Sequence, residues 1–264
     1  MTFAELDSVR IRYELTGDPA LPVLVLSHSL GADLTMWDPQ LPPLTPHLRL
    51  LRYDTRGHGQ SSIPDGAYSV ADLGGDLLGL LDALDISRAS FCGLSMGGVI
   101  GQWLGIHAPD RIDKLILADT AAKIGTSETW NARIEMVERE GLEPVIPGTL
   151  ERWFTASFRA TQPETVARIS AILYATVAKG YTACCAALRD ADFRGEFQDN
   201  DVRRIKASTL ILTGRQDPVT TTTDGKFLAD AITGSTYVEL DAAHLSNVEA
   251  ADAFNAALLS FLGV

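Results

Sequence analysis

One stretch restricts the fold more than any other: Phe91-Cys92-Gly93-Leu94-Ser95-Met96-Gly97-Gly98. Residues 89–92 are small and apolar, as a buried strand requires, and residues 99–107 carry a helical pattern that stops at Ala108-Pro109. Gly-x-Ser-x-Gly, with Gly93, Ser95 and Gly97, falls in the turn between them. A chain that leaves a strand and enters a helix within so few residues must turn sharply, and residues without side chains let it do so without clashes. The serine at the apex is then held in strained backbone with its hydroxyl lifted out of the sheet. The helix that follows points its free N–H groups at that hydroxyl, where a developing oxyanion would sit. An incidental serine in a glycine-rich turn would fit the same five residues, so the rest of the chain has to decide.

The chain around this turn alternates strands and helices. Residues 2–6 and 10–15 alternate apolar and polar side chains around Asp7-Ser8 and read as an antiparallel edge hairpin. Residues 22–27 and 48–53 are apolar runs suited to strands covered on both faces. Residues 70–84 form an amphipathic helix with Leu73, Leu77, Leu80, Leu81 and Leu84 on one stripe. Strands follow at 112–118, 207–213 and 235–240, with a helix over 225–231. Ser246 to Glu249 has capping-box spacing, which predicts one last helix running to about Phe261. From 121 to 191 the rhythm stops and only helical patterns remain, studded with Trp130, Trp153, Phe154, Phe158, Tyr174 and Tyr181. This block reads as a helical lid inserted into a core made of residues 1–120 and 192–264. Its expected place is over the carboxyl ends of the strands, where open α/β sheets bind ligands.

Composition narrows the partners. A formal net charge of −12 disfavours nucleic acid and anionic membranes, which need a basic face. It leaves room for a small anion in a locally positive pocket. No apolar run is long enough to span a bilayer, and the first residues lack the basic and apolar regions of a signal peptide. Three cysteines, Cys92, Cys184 and Cys185, make no disulfide framework, and a reducing cytoplasm is the simplest home. No Cys/His spacing suggests zinc, so no metal is expected.

Ser95, Asp217 and His244 each fall in the loop just past an expected strand, at the same end of the sheet. A parallel sheet brings such loops together despite their separation in sequence. The chemistry assigns the roles. A serine hydroxyl is a poor nucleophile at neutral pH. His244 would take its proton and later return it to the leaving group, while Asp217 orients the imidazole and stabilises its cation. Asp119 also ends a strand and is a rival acid, but Asp217 has the better loop and order. Cys92 precedes the turn and should pack in the core.

The order Ser…Asp…His and the Gly-x-Ser-x-Gly turn resemble the α/β-hydrolases. That resemblance implies a mostly parallel eight-stranded sheet flanked by helices, with an inserted helical lid. It also implies an oxyanion hole made by the backbone N–H groups of Met96 and of Leu30, in the loop His28-Ser29-Leu30-Gly31. His28 reads as a structural imidazole, and Asp54, Arg56 and His58 as residues that stabilise their own turn.

Over essentially its whole length the chain resembles the 3-oxoadipate enol-lactonase family. The likeness rests on Ser27-His28-Ser29-Leu30-Gly31 with Met36-Trp37, on residues 93–105, on Asp119-Thr120-Ala121-Ala122-Lys123-Ile124-Gly125, and on residues 244–249. It implies hydrolysis of an anionic enol-lactone through an acyl-enzyme, in bacterial aromatic breakdown and without a cofactor. A cation must then meet the substrate carboxylate. Arg133 and Trp130, one helical turn apart, are the candidates, with Lys123 and Arg152 behind them. A carboxylesterase or carbon–carbon-bond hydrolase would share the triad, and a ligand receptor on the same fold is the non-enzyme alternative. A cofactor-free haloperoxidase rests on analogy alone, and a haloalkane dehalogenase would need an aspartate where Ser95 stands.

Overall fold

The eight expected strands all form, with ends within two residues of those read from the sequence. A computed structural model describes residues 1–195 and 199–264. In chain order the elements are β1 (Thr2–Glu5), β2 (Arg10–Thr16), β3 (Val23–Ser27), α1 (Leu41–Leu44), β4 (Arg49–Tyr53), α2 (Val70–Ala83), β5 (Ala89–Leu94), α3 (Met96–His107) and β6 (Ile112–Ala118). Then come α4 (Ser127–Glu140), α5 (Ile146–Trp153), α6 (Ala156–Thr161), α7 (Pro163–Ala175) and α8 (Ala178–Asp190). The chain closes with β7 (Ser208–Gly214), α9 (Thr222–Ala231), β8 (Thr236–Leu240), α10 (Ser246–Glu249) and α11 (Ala251–Leu262).

The sheet order is β1-β2-β4-β3-β5-β6-β7-β8. β1 and β2 pair antiparallel with each other, β2 pairs antiparallel with β4, and the remaining neighbours are parallel. Every residue of β5 is buried, as expected of a central strand covered on both faces. Consecutive side chains serve opposite layers. Phe91 joins the layer with the α2 leucines and Leu117, while Cys92 joins the other with Leu24, Ile116 and Phe254. Cys92 is therefore core packing, and burial pushes its thiol well above the ordinary range. On α2, Leu73, Leu77, Leu80 and Leu81 are all but fully buried, each contributing about 1.5–3 kcal/mol.

Helices α4 to α8 occupy the stretch between β6 and β7, and α4 packs along α8. Among the described residues no single helix is long and apolar enough to cross a membrane.

The last helix differs from the sequence reading. Ser246 does not cap it: its hydroxyl donates instead to Asp119 Oδ2 at 2.5 Å. Glu249 turns away to accept the Ala243 amide at 2.9 Å and the Thr155 hydroxyl. The helix consequently breaks at Ala250 (φ −117°, ψ 44°) into α10 and α11. Long-range partners for two polar side chains override the local capping pattern.

Candidate active site

The turn after β5 is as tight as its glycines imply. A Cβ on Gly93 would lie 2.1 Å from the Gly97 carbonyl oxygen, and one on Gly97 would lie 2.1 Å from that of Ser27. Only hydrogen fits at either position. Ser95 sits at φ 56°, ψ −112°, in backbone that L-residues rarely adopt. Its amide donates to the Ala118 carbonyl (3.0 Å), and its own carbonyl accepts from the Thr120 hydroxyl (2.9 Å). The nucleophile is thus held by β6, not by contacts of its side chain.

That side chain meets His244. Ser95 Oγ lies 2.9 Å from His244 Nε2, and His244 Nδ1 lies 2.7 Å from Asp217 Oδ2. An ionised carboxylate only accepts, so Nδ1 carries the proton and Nε2 is left to accept from the serine. Burial disfavours the imidazolium, but the charge and hydrogen bond of Asp217 outweigh it, and His244 titrates above its ordinary value. Burial also works against the Asp217 carboxylate. His244, Thr220 and the Val219 amide more than compensate, holding it below the usual range.

Thr220 was not foreseen. Its hydroxyl donates to Asp217 Oδ2 at 2.7 Å, while the Val219 and Thr220 amides donate to Oδ1 at 2.7 and 3.2 Å. The signal was present as Asp-Pro-Val-Thr, a run in which an aspartate bonds the backbone two and three residues on. Asp119, the rival acid, does not reach the imidazole. It accepts from the Gly214 amide (2.7 Å) and from Ser246.

Leu30 and Met96 flank the serine from the β3 loop and from the first turn of α3. Among the described residues neither amide has an acceptor. The loop bearing Leu30 is braced from behind. The Gly31 amide donates to His58 Nε2 at 2.9 Å, and the Thr55 amide donates to His28 Nε2 at 2.9 Å. Both rings must be neutral to accept. Burial lowers His28, and burial with the neighbouring His28 lowers His58 to about 3. The polar turn that carries His58 only partly bonds its own backbone, as expected at Asp54; its other charged partners come from outside the turn. Asp54 accepts the Leu34 and Gln60 amides (both 2.9 Å), and Arg56 pairs with Asp76 through two bonds of 2.5 and 2.6 Å.

A cavity of about 110 Å³ opens on Ser95 and His244, suited to a compact ligand rather than a long chain. Trp130, Arg133 and Arg152 line it with Tyr181. The Trp130 indole N–H is taken by the Ile124 carbonyl (2.6 Å), so the ring and not its donor faces the cavity. Among the described residues the Arg133 guanidinium hydrogen-bonds the Tyr181 hydroxyl (3.5 Å) and that of Arg152 the Thr149 hydroxyl (3.4 Å). Neither guanidinium is paired with a carboxylate among the described residues. Burial and the like charge of Arg133 together lower the pKa of Arg152. Lys123 is elsewhere: its ammonium caps the carboxyl end of α8 on the Arg189 and Ala191 carbonyls (2.7 and 2.9 Å). Among the described residues no three His, Cys, Asp or Glu side chains gather as metal ligands do.

This geometry agrees with what the chain resembles. Residues 22–251 match the family model of the alpha/beta hydrolase fold. The chain is 45% identical over 250 residues to 3-oxoadipate enol-lactonase 2 of Acinetobacter baylyi, covering 95% of this chain and 92% of that one. The chain belongs to the 3-oxoadipate enol-lactonase family of α/β-hydrolases. The crystal structure of the enol-lactonase from Burkholderia xenovorans superposes on it with a TM-score of 0.96 at 43% identity, over 100% of both chains. A thermophilic esterase from Thermogutta terrifontis, with malate bound, matches with a TM-score of 0.88 at 26% identity, over 96% of this chain and 93% of that one. The fold is therefore shared with an esterase.

Proposed function

We propose that this protein hydrolyses 3-oxoadipate enol-lactone to 3-oxoadipate, with Ser95 as nucleophile, His244 as general base and acid, and Asp217 as its orienting acid. The observation that carries the reading is the Ser95–His244–Asp217 relay, at 2.9 and 2.7 Å, opening on a cavity with two unpaired guanidinium groups. Ser95 Oγ attacks the lactone carbonyl while His244 takes its proton. The Leu30 and Met96 amides receive the oxyanion. Collapse breaks the ring C–O bond. The leaving oxygen departs as an enolate, takes the proton from His244, and the enol becomes the ketone. Water then attacks the acyl-enzyme, His244 takes its proton, and Ser95 is released with a carboxylate as product.

An enolate leaves more readily than an alkoxide, but here it stays tethered to the acyl group. Ring closure therefore competes with deacylation, and water must reach the ester promptly. Residues 121–191 act as the lid that contributes Trp130 and Arg133, with Arg152 beside them, to hold the substrate carboxylate. Three buried cysteines fit a reducing compartment, and the reaction is assigned to the cytoplasm.

The test is hydrolysis, followed by acid release, of the enol-lactone against a panel of simple lactones and esters. The enol-lactone should be preferred, and Ser95→Ala should abolish turnover. Faster hydrolysis of uncharged esters would redirect the reading to a carboxylesterase.

A further inference from the structure

β6 lies between β5, which carries Ser95, and β7, which leads to Asp217. Its end touches all three loops of the relay. Ala118 accepts the Ser95 amide (3.0 Å) and Thr120 donates to the Ser95 carbonyl (2.9 Å). Between them Asp119 is fully buried at φ 41°, the left-handed region. Its Oδ1 accepts the Gly214 amide at 2.7 Å, three residues before Asp217. Its Oδ2 accepts the Ser246 hydroxyl at 2.5 Å and the Ser246 amide at 3.3 Å, two residues after His244. Gly214 itself is pressed on the histidine loop: a Cβ there would lie 2.1 Å from the Ala243 carbonyl oxygen.

We propose that Asp119 is a positioning residue for the reaction: its one buried carboxyl group locks the Asp217 loop and the His244 loop to the segment that grips Ser95. The proposal rests on the Ser95–His244–Asp217 reading. Burial, then the charge of Asp217, pushes the Asp119 carboxyl up to about 7, while His244, Ser246 and the Gly214 amide oppose them. The titratable groups facing Asp119 are Asp217 and His244 on the two loops and Cys92 on β5. Those facing His244 are Asp217, Asp119 and Arg152 on α5.

The experiment compares kcat, KM and the pH profile of kcat/KM for wild type, Asp119→Asn, Ser246→Ala and Ser95→Ala, with melting curves for each. Asn keeps the size and the Gly214 bond but puts a donor where Ser246 finds an acceptor. Asp119→Asn should melt as a folded protein, keep KM, and lose about tenfold in kcat. Its acid limb should stay close to that of wild type, because the Asp119 carboxyl, pushed up to about 7, is largely protonated below that pH. Ser246→Ala should lower kcat in the same sense by less, with KM unchanged. Wild-type kcat in a folded Asp119→Asn overturns the proposal. If Asp119→Asn does not fold, Ser246→Ala decides: unchanged kcat overturns the proposal and lowered kcat at unchanged KM supports it. Turnover surviving in Ser95→Ala would instead sink the triad reading, and this one with it.

Discussion

Replacing Arg133 by Ala tests the substrate reading most directly. Arg133 is half-buried, lines the cavity, and holds only a weak contact to the Tyr181 hydroxyl. Little internal structure is therefore lost with it. A guanidinium–carboxylate hydrogen bond is worth about 1.5–3 kcal/mol, or about 10- to 150-fold in kcat/KM. Arg152 remains on the same cavity and keeps part of the attraction. The expected loss on the anionic lactone is thus near the lower bound, about 10- to 30-fold. A remote carboxylate is held alike in the ground and transition states, so the loss should fall on KM with kcat little changed. An uncharged lactone of the same ring size has nothing to lose, and its KM should move less than about twofold. The assay is steady-state kinetics of both substrates with both proteins. Equal losses on the two, or none on the anion, would refute the assignment. Adding Arg152→Ala should deepen the anion-specific loss by more than Arg152→Ala costs alone, since one guanidinium can partly replace the other.

Asp217→Asn should lower kcat by about 10⁴-fold by reversing the hydrogen bond that sets the His244 tautomer, and Thr220→Val, which removes one donor from Asp217, by about tenfold with KM unchanged; steady-state kinetics decides both. Gly97→Ala should abolish activity or folding, because its Cβ would meet the Ser27 carbonyl oxygen at 2.1 Å, and a well-folded, fully active variant would disprove the elbow geometry. His58 must be neutral to accept the Gly31 amide, and its pKa drops from 6.5 to about 3 on folding. Its contribution is present above pH 6.5 and is lost as pH falls toward about 3, at up to about 1.4 kcal/mol per pH unit. Urea midpoints across that window should fall with pH less steeply in His58→Gln than in wild type, and parallel slopes would contradict the buried neutral ring.

The sequence carried the parts of this protein that local rules determine. Strand ends, the turn glycines and the order of Ser95, Asp217 and His244 are all written in short runs, and a parallel sheet converts them into neighbours. What depends on packing across the molecule was not legible. The sequence favours Arg133 over Lys123 and Arg152 and ranks those two together, yet Lys123 caps α8 while Arg152 lines the cavity beside Arg133. That difference depends on how the helices between β6 and β7 pack together, which no single run of residues specifies. Ser246 and Glu249 had the capping-box spacing, but a buried carboxylate 127 residues away claimed the serine. A local pattern yields where a buried charge needs donors, because leaving that charge unsatisfied costs more than losing a cap.

The charge of the whole chain and the charge of the cavity have opposite signs, and the second should govern affinity. The formal net charge is −12, so the surface repels an anionic lactone. At physiological salt that repulsion fades beyond about 8 Å. Inside the cavity two guanidinium groups stand without carboxylates, close enough that one lowers the pKa of the other. A bound carboxylate would offset the burial and the like charge that lower the Arg152 pKa. An acidic protein can thus select an anion, because the attraction is concentrated where water is few and the repulsion is spread where water screens it.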